Sequence, residues 1–194
     1  MHNQKIKRMV SMAFLMALVL VLQILGGIIP PVGGFSISLV LIPIVMGAVL
    51  YGQKAGALLG ATFGVIVYIN CVTGADPGGA MVFQANPVLC LLVVLGKGIL
   101  AGFAAGAVYK LIAKWNAHVA MLCAAIICPV VNTGVFICCM LTFFKDVLSA
   151  WAGGGDVIAY ILSGLVLLNF VPELIINVVF GTVGHTIIHV VKRK

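Results

Sequence analysis

The chain has 194 residues, of which 63% are hydrophobic and only 8% are charged, and its mean hydropathy is +1.29. A soluble domain carries about 25% charged residues, so this composition excludes a water-soluble globular protein. The net charge is +7. The length suits a single integral membrane domain over residues 1–194 and leaves no room for an appended soluble domain.

Six hydrophobic runs reach or approach the roughly 20 residues that a membrane-spanning helix needs. In chain order they cover residues 6–25, 36–52, 54–73, 86–110, 119–143 and 158–190. The first run follows basic residues, as a signal peptide would, but it is too long for one and lacks an evident cleavage site, so we expect it to be retained. The short turn after the second run predicts a tight helical hairpin. The sixth run exceeds the bilayer thickness and should tilt or project. The sequence therefore predicts an all-α membrane protein with six transmembrane helices.

The basic residues predict the orientation of these helices. With the N-terminus in the cytoplasm, every Lys and Arg lies on the cytoplasmic side except Lys145, which lies outside, and Lys97, which lies within a span. Three of the four acidic residues, Asp76, Asp146 and Asp156, then lie outside. The positive-inside rule favours both termini in the cytoplasm. This bias explains the net charge, so nucleic-acid binding is not indicated.

Two connections on the predicted outer side are candidates for lids over a site. Residues 26–34 read GGIIPPVGG, in which glycine permits close backbone approach and proline stiffens the segment; a plain turn is the alternative. The connection 73–87 holds Asp76, Gln84 and Asn86 among glycines. It is longer than a tight hairpin needs, which favours a gating role.

Several polar residues lie inside the predicted spans, where ionisable groups are rare without a partner or a function. At about 1.5 Å per helical residue, Lys97, Asn132 and Asn169 lie roughly 16 Å below the outer edge, and Glu173 lies roughly 22 Å below it. Asn169, Glu173 and Asn177 are spaced by four and share one helical face. Either Lys97 and Glu173 form a buried ion pair while the asparagines join helices, or the layer is the floor of an outward-facing cavity for a polar solute. A lysine and amides would suit a carboxylate-bearing ligand, unless Glu173 already neutralises Lys97.

Small residues recur at intervals of four in three spans, and such strips allow another helix backbone to approach closely. They are Ala13 and Ala17 in the first span, Gly56, Gly60 and Gly64 in the third, and Gly98, Gly102 and Gly106 in the fourth. Packing within the chain is the simplest interpretation of the two glycine strips.

The sequence contains no pattern for catalysis or for an energy source. P-loop, H-E-x-x-H and G-x-S-x-G motifs do not occur. His185 and His189 have no acidic neighbour in sequence, and the six cysteines lack C-x-x-C spacing and lie in apolar runs. We therefore predict no enzyme activity, no cofactor and no metal site. Uphill transport would have to draw on an ion gradient or on partner proteins.

The chain resembles the substrate-binding S-components of energy-coupling factor (ECF) transporters. The resemblance rests on six spans in under 200 residues, on Ala13-x-x-x-Ala17, and on three segments in order. These are IPIVMGAVLYGQKAGALLGATFG (42–64), PVVNTGVF (129–136) and NFVPELIIN (169–177). The resemblance implies a vitamin-binding subunit in the bacterial cell membrane. Such a subunit docks through its first helix onto an EcfT-type membrane coupling protein driven by two cytoplasmic ATPases, and topples to carry its site inward.

The resemblance also implies roles for individual residues. Ala13 and Ala17 would contact the coupling subunit, while the first outer loop and the segment around Gln84 and Asn86 would form lids. With Lys97 from the polar layer, the substrate-binding candidates are Gln84, Asn86, Lys97, Asn132, Thr133, Asn169, Glu173 and Asn177.

The ligand of such a subunit is harder to predict. Within the family the sequence is most similar to the pantothenate- and riboflavin-type subgroup. Pantothenate is slightly favoured, because Lys97 could meet its carboxylate. Trp115 and Trp151 are the two tryptophans and lie near span edges, so no aromatic cage for a flavin or thiamine ring is evident. A secondary transporter driven by protons through Glu173 and a non-transport membrane scaffold remain as alternatives.

Overall fold

The computed structural model describes residues 2–28 and 39–192, and it describes side chains for residues 4–27 and 39–181. This part of the chain is all-helical and contains no strand, in agreement with the predicted fold class. The helices are α1 His2–Ile28, α2 Leu41–Tyr51, α3 Gln53–Thr73, α4 Pro77–Ala85, α5 Pro87–Ile112, α6 Ala117–Phe143, α7 Lys145–Trp151, α8 Val157–Tyr160 and α9 Val171–Lys192.

Five stretches of the described chain are long and apolar enough to cross a membrane: Gln4–Gly27, Gln53–Thr73, Pro87–Ile112, Ala117–Phe143 and Val157–Gly181. They correspond to the first, third, fourth, fifth and sixth predicted spans, with ends that differ by a few residues. The sixth predicted span is longer than the stretch that matches it, and α9 continues beyond Gly181 to Lys192.

The second predicted span differs from the structure. Residues 36–52 were expected to cross the membrane, but the helix there is α2, with 11 residues. At about 1.5 Å per residue it is roughly 16 Å long, about half the thickness of a hydrocarbon core. Its predicted beginning, residues 36–38, lies outside the described residues. The tight hairpin is present, since Gly52 joins α2 to α3 with a positive φ of 90°.

The last transmembrane stretch is not a regular α-helix. Residues Ile161–Phe170 form a π-helix between α8 and α9. The π-helix is wider than an α-helix and is found mostly as single turns at functional sites. This change of pitch rotates the side chains before and after it relative to one another. The four-residue spacing that the sequence suggested for this helix therefore does not by itself fix which side chains share a face.

The two glycine strips pack against each other, as their spacing predicted. A Cβ atom added to Gly60 would overlap the backbone carbonyl of Gly98, and one added to Gly56 would overlap the carbonyl of Gly102. The backbones of α3 and α5 therefore touch directly. This contact holds together the two helices that carry much of the cavity wall described below.

The close contact predicts that Gly60→Ala destabilises the protein. The added methyl group has no room against the α5 backbone, and overpacking of this kind costs about 1–3 kcal/mol. Gly134→Ala is the matched control, because Gly134 is exposed on α6 and an added Cβ there meets nothing within 4 Å. Thermal unfolding in detergent, followed with a thiol-reactive dye on the buried free thiols of Cys90 and Cys128, compares the two. Equal unfolding midpoints would contradict the packing.

Basic side chains cluster at the end of the molecule opposite α4. Arg8 of α1 donates a hydrogen bond to the Tyr51 carbonyl oxygen at 3.2 Å, and its guanidinium lies 5.8 Å from the centre of the Tyr51 ring. This contact brings the beginning of α1 beside the turn between α2 and α3. Lys54 at the beginning of α3 and Lys110 at the end of α5 lie at the same end.

Candidate functional site: a polar cavity among the helices

A cavity of about 350 Å³ lies among the helices, in the half of the bundle nearer α4. Its wall is built from the second half of α1 and α3, the beginning of α4 and α5, the second half of α6, and the π-helix with the beginning of α9. The polar and charged side chains in the wall are Gln23, Asn70, Asp76, Lys97, Asn132, Thr133, Asn169 and Glu173.

The cavity brings together five of the eight residues predicted to bind substrate. Lys97 comes from α5, Asn132 and Thr133 from α6, Asn169 from the π-helix and Glu173 from α9. Helical rise alone placed Lys97, Asn132, Asn169 and Glu173 in one layer, and the resemblance added Thr133. The structure puts all five in the wall of one chamber. Of the two interpretations of the polar layer, the arrangement favours a cavity over a contact that only joins helices.

The Lys97 side chain ends over two aromatic rings. Its Nζ atom is 4.8 Å from the centre of the Phe136 ring and 5.7 Å from that of Phe63. A cation over an aromatic face is attracted by the ring quadrupole. Glu173 and Asp76 are the acidic side chains described in the same wall. Lys97 thus places its amino group at the cavity wall, against two aromatic rings and with two acidic side chains in the same wall.

Two amide oxygens at the cavity have unused hydrogen-bonding capacity. Within the described residues, the Oδ1 atoms of Asn132 and Asn169 are buried and accept no hydrogen bond. Asn132 is only 5% exposed. Buried polar atoms are nearly always hydrogen-bonded, and an exception calls for an explanation such as a bound molecule. A solute with hydroxyl or amide donors would supply the missing partners.

Comparison with known proteins identifies the family. Residues 7–185 match the family described as ECF transporter, substrate-specific component. The chain belongs to this family. It is therefore the substrate-specific component of an ECF transporter and a multi-pass protein of the bacterial membrane, as the motifs had predicted.

A curated relative has a named substrate. The pantothenic acid transporter PanT of Lactococcus lactis subsp. cremoris (strain MG1363) is 24% identical over 192 residues, which cover 94% of this chain and 93% of the relative. No solved structure matches the chain significantly.

Asn177 of this ECF component has a different role from the cavity residues. It is buried but is not part of the cavity wall, and its Nδ2 atom donates a hydrogen bond of 2.7 Å to the carbonyl oxygen of Ala125 on α6. Pro129 lies four residues after Ala125 and has no N–H to donate to that carbonyl. Asn177 therefore provides the hydrogen bond that the proline removes from α6, and it ties α9 to α6 beneath the cavity.

This arrangement predicts a stability effect that depends on Pro129. Asn177→Leu should lower stability by about 1–2 kcal/mol, since the Ala125 carbonyl then lacks a donor inside the membrane. The same change in a Pro129→Ala background should cost less, because the residue 129 N–H can now donate to Ala125. Unfolding midpoints of the four proteins form a double-mutant cycle. Strict additivity of the two changes would contradict the role assigned to Asn177.

The structure does not place Gln84 or Asn86 in the cavity wall. Gln84 is exposed at the end of α4. The side chain of Asn86 accepts hydrogen bonds from the N–H groups of Val88 and Leu89 at 3.1 and 3.0 Å, so it caps the N-terminus of α5. The connection that carries both residues does border the cavity, but through Asp76, Gly79 and other residues nearer its beginning. The other predicted lid is the segment 26–34. Its Gly27 lines the cavity, and its residues from 29 onward lie outside the described part of the chain.

Sequence reasoning did not find the aromatic residues of the site. Phe136 stacks on Trp151 of α7 with ring centres 6.4 Å apart. The Trp151 indole N–H in turn points to the Met81 sulfur on α4, at 3.3 Å. Phe136 therefore contacts Lys97. It also stacks on Trp151, which in turn contacts Met81 of α4, the short helix that borders the cavity. The only sequence signal was the position of Phe136 four residues after Asn132, which places both on one helical face.

Proposed function

We propose that this S-component captures pantothenate, or a closely related carboxylate-bearing micronutrient, from outside the cell for import by an ECF transporter. The observation that carries the proposal is the chamber itself, which combines one ammonium group with buried, unused amide acceptors. The named relative, a pantothenic acid transporter, agrees with this chemistry.

Pantothenate matches the chamber group by group. It carries a carboxylate at one end, a secondary amide in the middle and hydroxyl groups at the other end. In our proposal the carboxylate contacts Lys97, and the hydroxyl and amide donors reach the Oδ1 atoms of Asn132 and Asn169. Thr133 has a hydroxyl that can donate or accept. A chamber of about 350 Å³ is at the small end of ligand pockets, which measure about 300–1,000 Å³.

The aromatic lining supports pantothenate over riboflavin or thiamine. Among the described residues, the aromatic side chains in the cavity wall are Phe63 and Phe136. Both face the Lys97 ammonium. A flat ring system would have to displace the lysine from these phenyl groups before it could stack on either of them.

The same proposal includes the sidedness and the partners. We place both termini in the cytoplasm, so that the basic end of the bundle faces inward and the cavity lies in the outer half, with α2 as part of a sixth crossing. We further propose that α1 docks on an EcfT-type coupling protein served by two cytoplasmic ATPases. Ala13 and Ala17 are exposed on α1. Toppling of the whole subunit would then present the occupied cavity to the cytoplasm.

Equilibrium binding to the purified protein tests the ligand. Radiolabelled pantothenate should bind with one site per chain, while riboflavin and thiamine should not compete at equal concentration. Mass spectrometry of the small molecules that co-purify with the protein provides an independent reading. Competition by riboflavin, or another vitamin in the co-purified fraction, would overturn the assignment of pantothenate.

Uptake measurements test the transport mechanism. Pantothenate uptake by cells that express this chain should require the coupling protein and its ATPases. Uptake that persists without the ATPases would favour the proton-driven secondary transporter. No uptake of any vitamin would favour the membrane scaffold.

A further inference from the structure

Two free cysteines lie side by side in the cavity wall. Cys71 of α3 and Cys90 of α5 both line the cavity, and they are 2% and 0% exposed. Their thiol groups are close enough to share a side-chain hydrogen bond. The function proposed above uses neither of them. Two thiols in contact on different helices form a disulfide bridge when an oxidant reaches them.

The contact between α3 and α5 explains why these two thiols meet. A Cβ atom added to Gly64 would overlap the carbonyl oxygen of Val94, so the two helices touch there. Cys71 follows Gly64 by two turns of α3, and Cys90 precedes Val94 by one turn of α5. In this antiparallel pair Cys71 therefore lies about 4.5 Å beyond Cys90 along the helix axis. Because each Cα–Cβ bond tilts toward the N-terminus of its own helix, the two side chains lean toward each other.

The cavity gives this pair an access that burial in the bundle would otherwise deny. A cysteine buried in apolar surroundings is inert, whereas reactive cysteines lie where small molecules can reach them. The cavity has polar walls and a volume of about 350 Å³, which is enough for a small solute. Cys128 provides the contrast within the same chain, since it is also 0% exposed but is not part of the cavity wall.

We propose that Cys71 and Cys90 are a redox-active pair, which a small-molecule disulfide converts reversibly into an intramolecular disulfide bridge. One protein thiolate attacks a sulfur of the small disulfide, which forms a mixed disulfide and releases one small thiol. The second protein thiolate attacks the mixed disulfide, which forms the bridge and releases the other small thiol. The two protons lost by the protein thiols end on the two small thiols. The protein is thus oxidised by two electrons, and the small disulfide is reduced by two.

The bridge would join the end of α3 to the beginning of α5, on either side of α4. Cys71 already contacts this short helix, because a Cβ atom added to Gly79 would overlap the Cys71 sulfur. A ligand that fills the cavity should also shield the pair from the oxidant. This shielding rests on the proposed function, since pantothenate is taken as the ligand.

Mass spectrometry tests the pairing on the unaltered protein. The reduced protein is treated with excess hydroxyethyl disulfide, unfolded, alkylated at its remaining thiols and digested with trypsin. Cleavage after lysine leaves Cys71 and Cys90 in the peptide 55–97, and the other four cysteines in the peptide 115–145. We expect peptide 55–97 to be two hydrogens lighter and unalkylated, and a reductant should restore both thiols. Cys128 should remain free in the folded protein and react in the unfolded one, which shows that the oxidant is active.

Serine variants separate the two steps of the reaction. Cys71→Ser and Cys90→Ser cannot form the bridge, and at least one of them should stop at the mixed disulfide with one small thiol attached. Recovery of peptide 55–97 from the unaltered protein with both thiols free, or only in covalent dimers of the chain, would overturn the pairing. Either result would leave the proposed function intact.

Pantothenate tests the shielding. Its binding is measured first on the reduced protein, and the rate of bridge formation is then compared with and without it. If only the empty protein reacts, pantothenate at about ten times its dissociation constant should slow the bridge by about tenfold. An unchanged rate in protein that binds pantothenate would overturn the shielding, because the oxidant would then reach the thiols by another path. Absence of pantothenate binding would overturn the proposed function and the shielding, while the bridge measured without ligand still decides the pairing.

Discussion

Replacing Lys97 with methionine should weaken pantothenate binding by about 10- to 100-fold. Methionine has a similar length and shape but no charge, so the substitution removes the ammonium that we propose contacts the ligand carboxylate. A hydrogen bond to a charged group contributes about 1.5–3 kcal/mol, which corresponds to this range of affinity. The contacts of Nζ with Phe136 and Phe63 hold this group at the wall. Among the described residues of the wall Lys97 is the one basic side chain, so none of the others can replace it. Titration of the purified variant with labelled pantothenate measures the loss.

A matched variant and an uncharged ligand make this prediction specific. Lys145→Met is the same chemical change at an exposed position at the beginning of α7 and should leave the dissociation constant unchanged. Panthenol should lose much less affinity than pantothenate on Lys97→Met, because it has no carboxylate. A similar loss for both ligands would mean that Lys97 shapes the cavity without binding the carboxylate, and unchanged pantothenate binding would remove Lys97 from the site.

The polar layer could be predicted because its physical basis is simple. Helices in a bilayer run across it with a fixed rise, so the depth of a side chain follows from its position in the sequence. Ionisable and amide groups at matched depth are too costly to leave facing lipid. These two facts were enough to predict that Lys97, Asn132, Asn169 and Glu173 lie close together. The glycine strips of α3 and α5 followed from an equally local rule, the close approach that small residues permit.

Other features depend on information that spacing does not contain. Asn177 lies one turn beyond Glu173 on the same α-helix, so a shared helical face could not show that Asn177 lies beyond the cavity and bonds to Ala125. That bond requires knowledge of which carbonyl Pro129 leaves without a donor and of which helix lies beside it. Asn86 was read as a lid residue, although an asparagine immediately before a proline at the first helical position is also a typical N-cap. Local capping chemistry explains its side chain.

The second predicted span shows a limit of hydropathy. Residues 36–52 are apolar enough for a crossing, but the described helix begins only at Leu41. A run of apolar residues predicts burial in lipid or protein, and it does not say how much of the run is helical. Four α2 residues, Leu41, Ile44, Val45 and Ala48, are at most 1% exposed. This short helix therefore owes its apolar character to the packed core of the bundle as much as to the membrane.

Ala13→Trp should abolish pantothenate uptake and leave ligand binding by the isolated subunit unchanged. Ala13 and Ala17 are exposed on α1, one turn apart, and the cavity is lined by α1 only from Gln23 onward. The most apolar part of α1 is 11% buried, compared with 22–44% for the other four long stretches. A tryptophan in the middle of such a strip would hold a partner helix away from the α1 backbone, because close approach requires small residues. Co-purification with the coupling protein should fail together with uptake.

The control must show that the bulk of the tryptophan is not harmful by itself. Val65 is 48% exposed near the middle of α3, on a helix for which we propose no docking role, so Val65→Trp should preserve uptake. Radiolabelled uptake and binding are measured in parallel for both variants. If Ala13→Trp also loses binding, the strip supports the fold of the subunit, and docking through α1 is wrong. If uptake survives in Ala13→Trp, the coupling protein must approach another face, since a side chain of that size cannot be accommodated where two helix backbones touch.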